Sequence, residues 1–241
     1  MHRNQNAMST SMLRLITGSR INRAADDPAG MIAGEHFAVE AKKLGEMIKG
    51  LEFETTRLAA SEGAHSAVGD MLIDLEGVLV AAANTGASTP EEREAYQMEA
   101  DSIIDAIDYI AQTTRFNGRQ VLEGYTSSNI GVLEFRSGGE FNLIDGDREG
   151  GQSAIDEALS WSRGVRGGIG LRMKQIDSEY DRLKVELEGV LDARSKIMDT
   201  DYASEVSELV RSQALRAAAQ FTVQFSMQQR AETVLGLLPK L

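Results

Sequence analysis

A seven-residue repeat of large side chains constrains this chain more than any other feature of its sequence. No proline interrupts the chain between Asp27-Pro28 and about Asn84. Within this stretch one position recurs at every seventh residue: Phe37, Leu44, Leu51, Leu58, His65, Leu72 and Leu79. Such a repeat places apolar side chains on one seam of a long α-helix, as in coiled coils. Asp27-Pro28 is a helix start signal, because aspartate caps free N–H groups and proline lacks one. The pattern predicts a single helix about 80 Å long, at ~1.5 Å per residue.

Further helices follow on either side of an irregular segment. Thr89-Pro90-Glu91-Glu92 combines a capping box with proline at the first helical position. The helix that it starts is expected to end near Phe116-Asn117-Gly118, which is a turn sequence. A heptad returns after Gly168 and predicts a helix over about 152–197, and a last helix is predicted over about 202–238. The returning heptad consists of Ile169, Ile176, Leu183, Val190 and Ile197.

The irregular segment predicts a small β-hairpin at about 130–145, centred on Ser137-Gly138-Gly139-Glu140. A two-residue Gly-Gly loop pairs Phe135 with Asn142, whereas a three-residue loop with a glycine bulge pairs Phe135 with Phe141. The second register is favoured because it places apolar side chains on the same face. The expected fold is therefore mainly α: an elongated antiparallel bundle or coiled coil of long helices with a small β-hairpin and helical termini.

The composition argues against several classes of function. A net charge of −12 is unfavourable for nucleic-acid binding, and no apolar run reaches the ~20 residues of a membrane span. The chain has no cysteine and three histidines, without an H-E-x-x-H motif. We therefore expect no nucleic-acid partner, no membrane insertion, no catalytic residue, no cofactor and no metal site, and we do not expect an enzyme.

One stretch of the last helix indicates burial against a partner. Residues 217–229 (AAAQFTVQFSMQQ) carry no charged side chain. A helix surrounded by water on all sides seldom lacks charge over this length.

Four segments, each at a predicted helix boundary, resemble bacterial flagellin. They are residues 17–30 (TGSRIN followed by ADDPAG), 113–122 (TTRFNGRQVL), 199–215 (DTDYASEV followed by RSQAL) and 234–238 (VLGLL). The resemblance covers the chain apart from about 124–165. It implies an extracellular subunit of the bacterial flagellar filament, secreted unfolded by type III export without a cleaved signal peptide and polymerising into a helical tube for motility.

The resemblance also implies a division of the chain and a set of partners. Residues 1–22 and 199–241 would form a discontinuous helical coiled-coil region, the inner core of the filament. Residues 23–198 would form a helical rod with the hairpin, the outer core. The implied partners are copies of this chain or other flagellins, an export chaperone, the filament cap and the hook-junction proteins. The candidate subunit-interface residues are Arg20, Asn22, Asp26, Asp27, Asp201, Tyr202, Phe221, Phe225, Leu235 and Leu238.

The chain departs from the family pattern in three respects. Flagellins usually begin several helical turns upstream of the Gly-Ser-Arg-Ile-Asn region, so we expect a shortened N-terminus. The connection at 124–151 is too short for variable outer domains. The motif through which many flagellins activate a Toll-like receptor falls on Asp74, Val78 and Ala106 in place of arginine, leucine and glutamate, so this receptor motif is expected to be lost.

Two alternative functions remain at this stage. A hook–filament junction protein is related in sequence and similar at both ends, although the DYASE and VLGLL segments favour flagellin. A non-polymerising coiled-coil adaptor in the cytosol is the alternative from a different class.

Overall fold

The computed structural model describes residues 2–84, 89–122 and 125–236. Over these residues the chain forms five α-helices, a two-stranded antiparallel hairpin and one 3-10 turn. In chain order they are α1 (His2–Thr17), α2 (Pro28–Ala83), α3 (Pro90–Thr113), β1 (Arg115–Phe116), β2 (Arg119–Gln120), the 3-10 turn Leu133–Phe135, α4 (Arg148–Met198) and α5 (Tyr202–Gly236). The prediction of a mainly α fold with long packed helices and a small β-hairpin is confirmed.

The heptad of α2 lies on its buried side. The helix has 56 residues and begins where the sequence predicts, with the Asp27 carboxylate accepting a hydrogen bond from the Gly30 N–H at 2.9 Å. Phe37 and Leu51 are half-buried. The other five heptad positions are buried: Leu44, Leu58, His65, Leu72 and Leu79.

The start of α3 carries the predicted capping box. The Thr89 hydroxyl accepts from the Glu92 N–H at 3.2 Å, and the Glu92 carboxylate accepts from the Thr89 N–H at 2.7 Å. The helix ends at Thr113, because the chain turns at Thr114 into β1. Asn117 and Gly118 both have positive φ, 49° and 79°. This is the backbone of a tight two-residue hairpin turn, and it places the hairpin at 115–120.

The predicted hairpin at about 130–145 is wrong. This segment consists of turns with the 3-10 turn Leu133–Phe135 at its centre. The side-chain amide of Gln97 donates to the Phe135 carbonyl at 2.7 Å, and its oxygen accepts from the Leu143 N–H at 2.7 Å. Backbone groups that a β-ladder would have paired are thus bonded by α3. The predicted contact of Phe135 with Phe141 is present, with ring centroids 5.5 Å apart, but it joins two turns.

The chain divides into two compact units. Unit 1 is Met1–Glu46 with Lys184–Leu241, and unit 2 is Met47–Leu183. Unit 2 contains the main hydrophobic core, in which α2, α3, α4 and the turn segment bury aliphatic side chains together with Tyr125 and Phe135. In unit 1, α1 packs against α5. Among the described residues no helix is both long and apolar enough to cross a membrane.

Candidate subunit interface

Two of the four flagellin-like segments, residues 17–30 and 199–215, meet in unit 1. Ser19 and Asp199 form an isolated antiparallel bridge. The Arg20 N–H donates to the Met198 carbonyl at 2.6 Å, and the Thr200 N–H donates to the Gly18 carbonyl at 3.0 Å. The chain therefore connects the turn after α1 to the turn before α5 by backbone hydrogen bonds. We call residues 17–22 and 198–202 the junction.

Arg20 and Asn22 hold the junction from within. The Arg20 guanidinium donates to the Ile197 carbonyl at 2.8 Å, at the C-terminal end of α4, where a positive charge is favourable. The Asn22 side-chain amide donates to the Ser19 carbonyl at 2.7 Å. Both side chains thus have a partner inside their own chain, and a role for them in contacts between copies stays a prediction.

Asp26 and Asp27 organise the turn into α2. The Asp26 carboxylate accepts from the Asn22 N–H at 3.1 Å and from the Arg23 N–H at 3.0 Å. These backbone donors hold the pKa of Asp26 below its ordinary value, because they bind the charged form. Asp27 caps α2, as described above. The two carboxylates therefore stabilise local backbone.

Asp201 caps the start of α5, and the side chain of Tyr202 lies against Gly18. The Asp201 carboxylate accepts from the Ala203 N–H at 2.9 Å, which satisfies a free donor in the first turn. Tyr202 is 56% exposed. Its hydroxyl lies so close to Gly18 that a β-carbon at this position would stand 2.9 Å away, and the φ of +68° at Gly18 also favours glycine.

Helix α1 packs against α5 within the single chain, and both belong to the segments that the resemblance assigns to one coiled-coil region. Ser11 and Ser212 are 3% and 1% exposed, so two small side chains mark the close approach of the helices. The Arg14 guanidinium bonds the Glu205 carboxylate at 2.8 Å, and the Asn4 amide donates to the Ser212 carbonyl at 2.6 Å. Residues 1–23 carry four arginines and no acidic residue, a composition that indicates ion pairs but does not identify their acidic partners.

Beyond Ser212 the helix α5 is uncovered. Every described side chain from Gln213 to Arg230 is exposed, apart from the half-buried Ala219. The exposed large apolar side chains of this stretch are Leu215 (56%), Phe221 (70%), Val223 (40%), Phe225 (54%) and Met227 (66%). Leu235 belongs to α5, but its side chain and all of Leu238 lie outside the described residues. At 3.6 residues per turn, Phe221 and Phe225 lie on one side of the helix, and Val223 and Met227 lie on nearly the opposite side. An uncovered helix that is apolar on more than one side is typical of a helix that neighbouring molecules bury.

The three receptor-motif positions have unequal surroundings. Asp74 is exposed on α2, and Ala106 is half-buried on α3. Val78 is 7% exposed and belongs to the main core of unit 2. A ligand could reach Asp74 directly, whereas Val78 faces the inside of the protein.

The described residues show no arrangement typical of a metal centre. Among them no group of three or more histidine, aspartate or glutamate side chains could hold a metal ion. The histidine within the heptad, His65, packs edge-on against Tyr125 with ring centroids 4.7 Å apart, and Tyr125 contacts Trp161 at 4.5 Å. Its surroundings are those of a core residue.

Comparison with known proteins connects these features to one family. The family model of the bacterial flagellin N-terminal helical region matches residues 1–127, and that of the C-terminal helical region matches residues 153–238. The flagellar filament 30.7 kDa core protein of Treponema maltophilum is 24% identical, over 98% of this chain and 93% of its own. The flagellin of Bacillus subtilis is 26% identical, over 98% of this chain and 94% of its own.

Other relatives match a shorter part of their own length. Flagellin A of Helicobacter pylori is 31% identical, over 77% of this chain and 36% of its own. The two family models together cover both helical regions, α1 to α3 and α4 to α5. The chain therefore belongs to the flagellin family, the structural subunits of the bacterial flagellar filament.

Proposed function

We propose that this chain polymerises with copies of itself, or with other flagellins, into the helical tube of an extracellular flagellar filament after export in an unfolded state. In this proposal it acts as a structural element without enzymatic activity. The observation that carries the proposal is the uncovered part of α5 between Ser212 and Arg230, which is apolar on two sides. Full burial of one large apolar side chain is worth about 1.5–3 kcal/mol. Because the five side chains are 40–70% exposed, burying the exposed part supplies roughly 4–9 kcal/mol before the entropy of association is subtracted.

The uncovered part of α5 also suggests how the chain is divided in the filament. Residues 1–22 and 199–241 form the inner core in this proposal, because they contain α5 and its partner α1. Residues 23–198 form the outer core. An export chaperone, the filament cap and the hook-junction proteins are the further proposed partners. A helix with exposed phenylalanines would need cover before assembly and matching neighbours at both ends of the tube.

The test is a polymerisation assay with substitutions on the side of α5 that carries Phe221 and Phe225. The Phe221→Ser and Phe225→Ser double variant should stay folded, because both side chains are exposed, and it should fail to form filaments that are visible by electron microscopy. Leu171→Ser with Val185→Ser is the matched control, since these two side chains of α4 are also exposed, at 67% and 69%.

The outcomes separate the candidate functions. Filaments formed by the control and lost in the phenylalanine variant would support assembly through α5. A parent chain that forms no filament under any polymerising condition would favour the coiled-coil adaptor. Filaments of normal length from the phenylalanine variant would show that the side of α5 with Phe221 and Phe225 is not the assembly surface.

A further inference from the structure

A cationic and aromatic patch lies on unit 2, where α2 faces the β1–β2 hairpin. We call Phe53, Arg57, Phe116 and Arg119 the hairpin patch. The rings of Phe53 and Phe116 contact each other, with centroids 5.1 Å apart and planes tilted by 56°. The four side chains line a surface cavity of about 370 Å³. Phe53 is 51% exposed although another aromatic ring contacts it, so part of its ring is open to a ligand.

The two arginines of the hairpin patch lack acidic partners. Within residues 2–84, 89–122 and 125–236, neither guanidinium forms an ion pair or a hydrogen bond with a carboxylate. Two other arginines of unit 2 do form such pairs, Arg136 with Asp105 and Arg172 with Glu54. The chain has 37 acidic and 25 basic residues, yet these two arginines line one cavity without an acidic partner among the described residues. The patch is therefore suited to an acidic ligand with apolar groups.

The same unit presents a surface of the opposite character on α3. At 3.6 residues per turn, one narrow face of this helix carries acidic and apolar side chains in alternation. Met98 and Tyr109 are each 68% exposed, and they lie about 16 Å apart along the helix at ~1.5 Å per residue. We call this face the α3 stripe; its members are Glu91, Glu94, Met98, Asp105 and Tyr109. Glu91 and Glu94 have no basic partner among the described residues.

The hairpin patch and the α3 stripe match in chemistry. A guanidinium can bind a carboxylate with two parallel hydrogen bonds, and it also stacks on an aromatic ring such as that of Tyr109. A methionine such as Met98 packs well against phenylalanine rings. Glu91 and Glu94 thus offer carboxylates to the two arginines of the hairpin patch, and Met98 and Tyr109 offer apolar contact to its rings. Asp105 is already paired with Arg136 and adds less.

The arrangement also matches the symmetry of a filament. Both surfaces lie on every copy of the chain, and they are different from each other. A contact between two different surfaces of identical subunits is heterologous, and it continues from copy to copy to give a ring or an open helical polymer. A contact of one surface with itself would close as a dimer.

We propose that the hairpin patch of one copy binds the α3 stripe of a neighbouring copy in the filament. This inference rests on the proposed self-assembly and adds a contact between subunits outside α1 and α5. The ion pairs steer the copies into register, and the apolar side chains supply buried area.

Charge reversal with rescue tests the contact. Arg57→Glu with Arg119→Glu reverses the hairpin patch, and Glu91→Lys with Glu94→Lys reverses the α3 stripe. Each double variant should raise the critical concentration for polymerisation about ten-fold, because like charges then meet at the contact. Combining all four substitutions should bring the critical concentration back toward that of the parent, since the charges are again opposite. Thermal melting of each monomer should remain near that of the parent, because the four substituted side chains are exposed. A lysine in the first turn of α3 is unfavourable, so the Glu91/Glu94 variant should lose at most about 1–2 kcal/mol of stability.

The matched control is Arg163→Glu with Lys174→Glu, two exposed cations of α4 in unit 2 whose reversal changes the net charge equally. Polymerisation of the parent chain tests the proposed function by itself. Parent-like polymerisation of the Arg57/Arg119 variant would overturn this inference alone and would leave the patch to an acidic partner other than a second copy. A control that is as strongly impaired, or a fourfold variant that is no better than either double variant, would also overturn it.

Discussion

Replacing Gln97 by methionine should destabilise unit 2 strongly although the side-chain volume hardly changes. Gln97 is 2% exposed, and its amide holds the Phe135 carbonyl and the Leu143 N–H, each at 2.7 Å. Methionine fills the same space but leaves both backbone groups buried without a partner. An unsatisfied buried polar group costs about 1–3 kcal/mol, so the free energy of unfolding should fall by roughly 2–5 kcal/mol. For a chain of this size the melting temperature should drop by about 5–15 °C.

Tryptophan fluorescence is a suitable assay for this substitution. Trp161 is the single tryptophan of the chain, and it lies in unit 2 with its ring 4.5 Å from that of Tyr125. Thermal melts followed at this tryptophan therefore report on the unit that contains Gln97. Gln112→Met is the matched control, because Gln112 is exposed on the same helix and its replacement should change stability by less than about 0.5 kcal/mol. A melting temperature for Gln97→Met that is no lower than that of the control would refute the reasoning.

Three further changes have defined outcomes. Leu183→Asp places an unpaired charge at a position that is 1% exposed, so the free energy of unfolding should fall by about 3 kcal/mol or more and the melting transition should be lost or strongly lowered. A melting temperature within a few degrees of the parent would contradict the burial of Leu183. Burial, and then the charge of Arg166, lower the pKa of His65. Because the unfolded chain then binds more protons below about pH 6.5, stability should fall as the pH drops through that value toward the pKa of the folded state. His65→Leu should make the melting temperature less dependent on pH between about pH 7.5 and 5, and an unchanged dependence would contradict the assignment. Purified monomer should activate the Toll-like receptor weakly or not at all in reporter cells, and Asp74→Arg with Ala106→Glu should raise the response. Activation by the parent monomer at the level of an ordinary flagellin would contradict the loss of the motif.

The long helices could be predicted because their signals are local. A heptad needs only the spacing of side chains along the chain, and the end of α2 at Ala83 lies next to the predicted Asn84. The capping box of α3 needs only residues 89–92. The start of α4 at Arg148 comes before the predicted 152, because Asp147 accepts from the Glu149 and Gly150 N–H groups, each at 3.1 Å, and so caps an extra turn.

The turn segment at 130–145 could not be predicted in the same way. Its conformation depends on Gln97, which is 38 residues from Phe135 and 46 from Leu143. Glycines between two short apolar stretches are equally compatible with a hairpin and with successive turns. Only the packing of Phe135 and Leu143 against α3 decides between the hairpin and the turns. The sequence of residues 130–145 alone does not indicate that packing.

The partners of the candidate interface residues could not be predicted from the motifs that contain them. The flagellin-like motifs contain Arg20 and Asp26, but a motif does not say which partner a side chain has. Arg20 bonds the carbonyl of Ile197, 177 residues away, and Asp26 bonds backbone N–H groups only three and four residues before it. For Phe221 and Phe225 the absence of charge around them indicated burial by a partner, and the exposure of both in the single chain agrees with that interpretation.

The distribution of apolar side chains predicts that the stability of α5 depends on assembly. The core of unit 2 is closed within one chain, with Val68, Leu72 and Leu75 each 0% exposed. The part of α5 after Ser212 has no such support, and an isolated helix is only marginally stable in water. Contacts with other copies would stabilise it by mass action. Amide hydrogen exchange of residues 213–230 should therefore be fast in the monomer and strongly slowed in the filament, while the helices of unit 2 should be protected in both. Equal protection of 213–230 in the two states would show that α5 gains no stability from its neighbours.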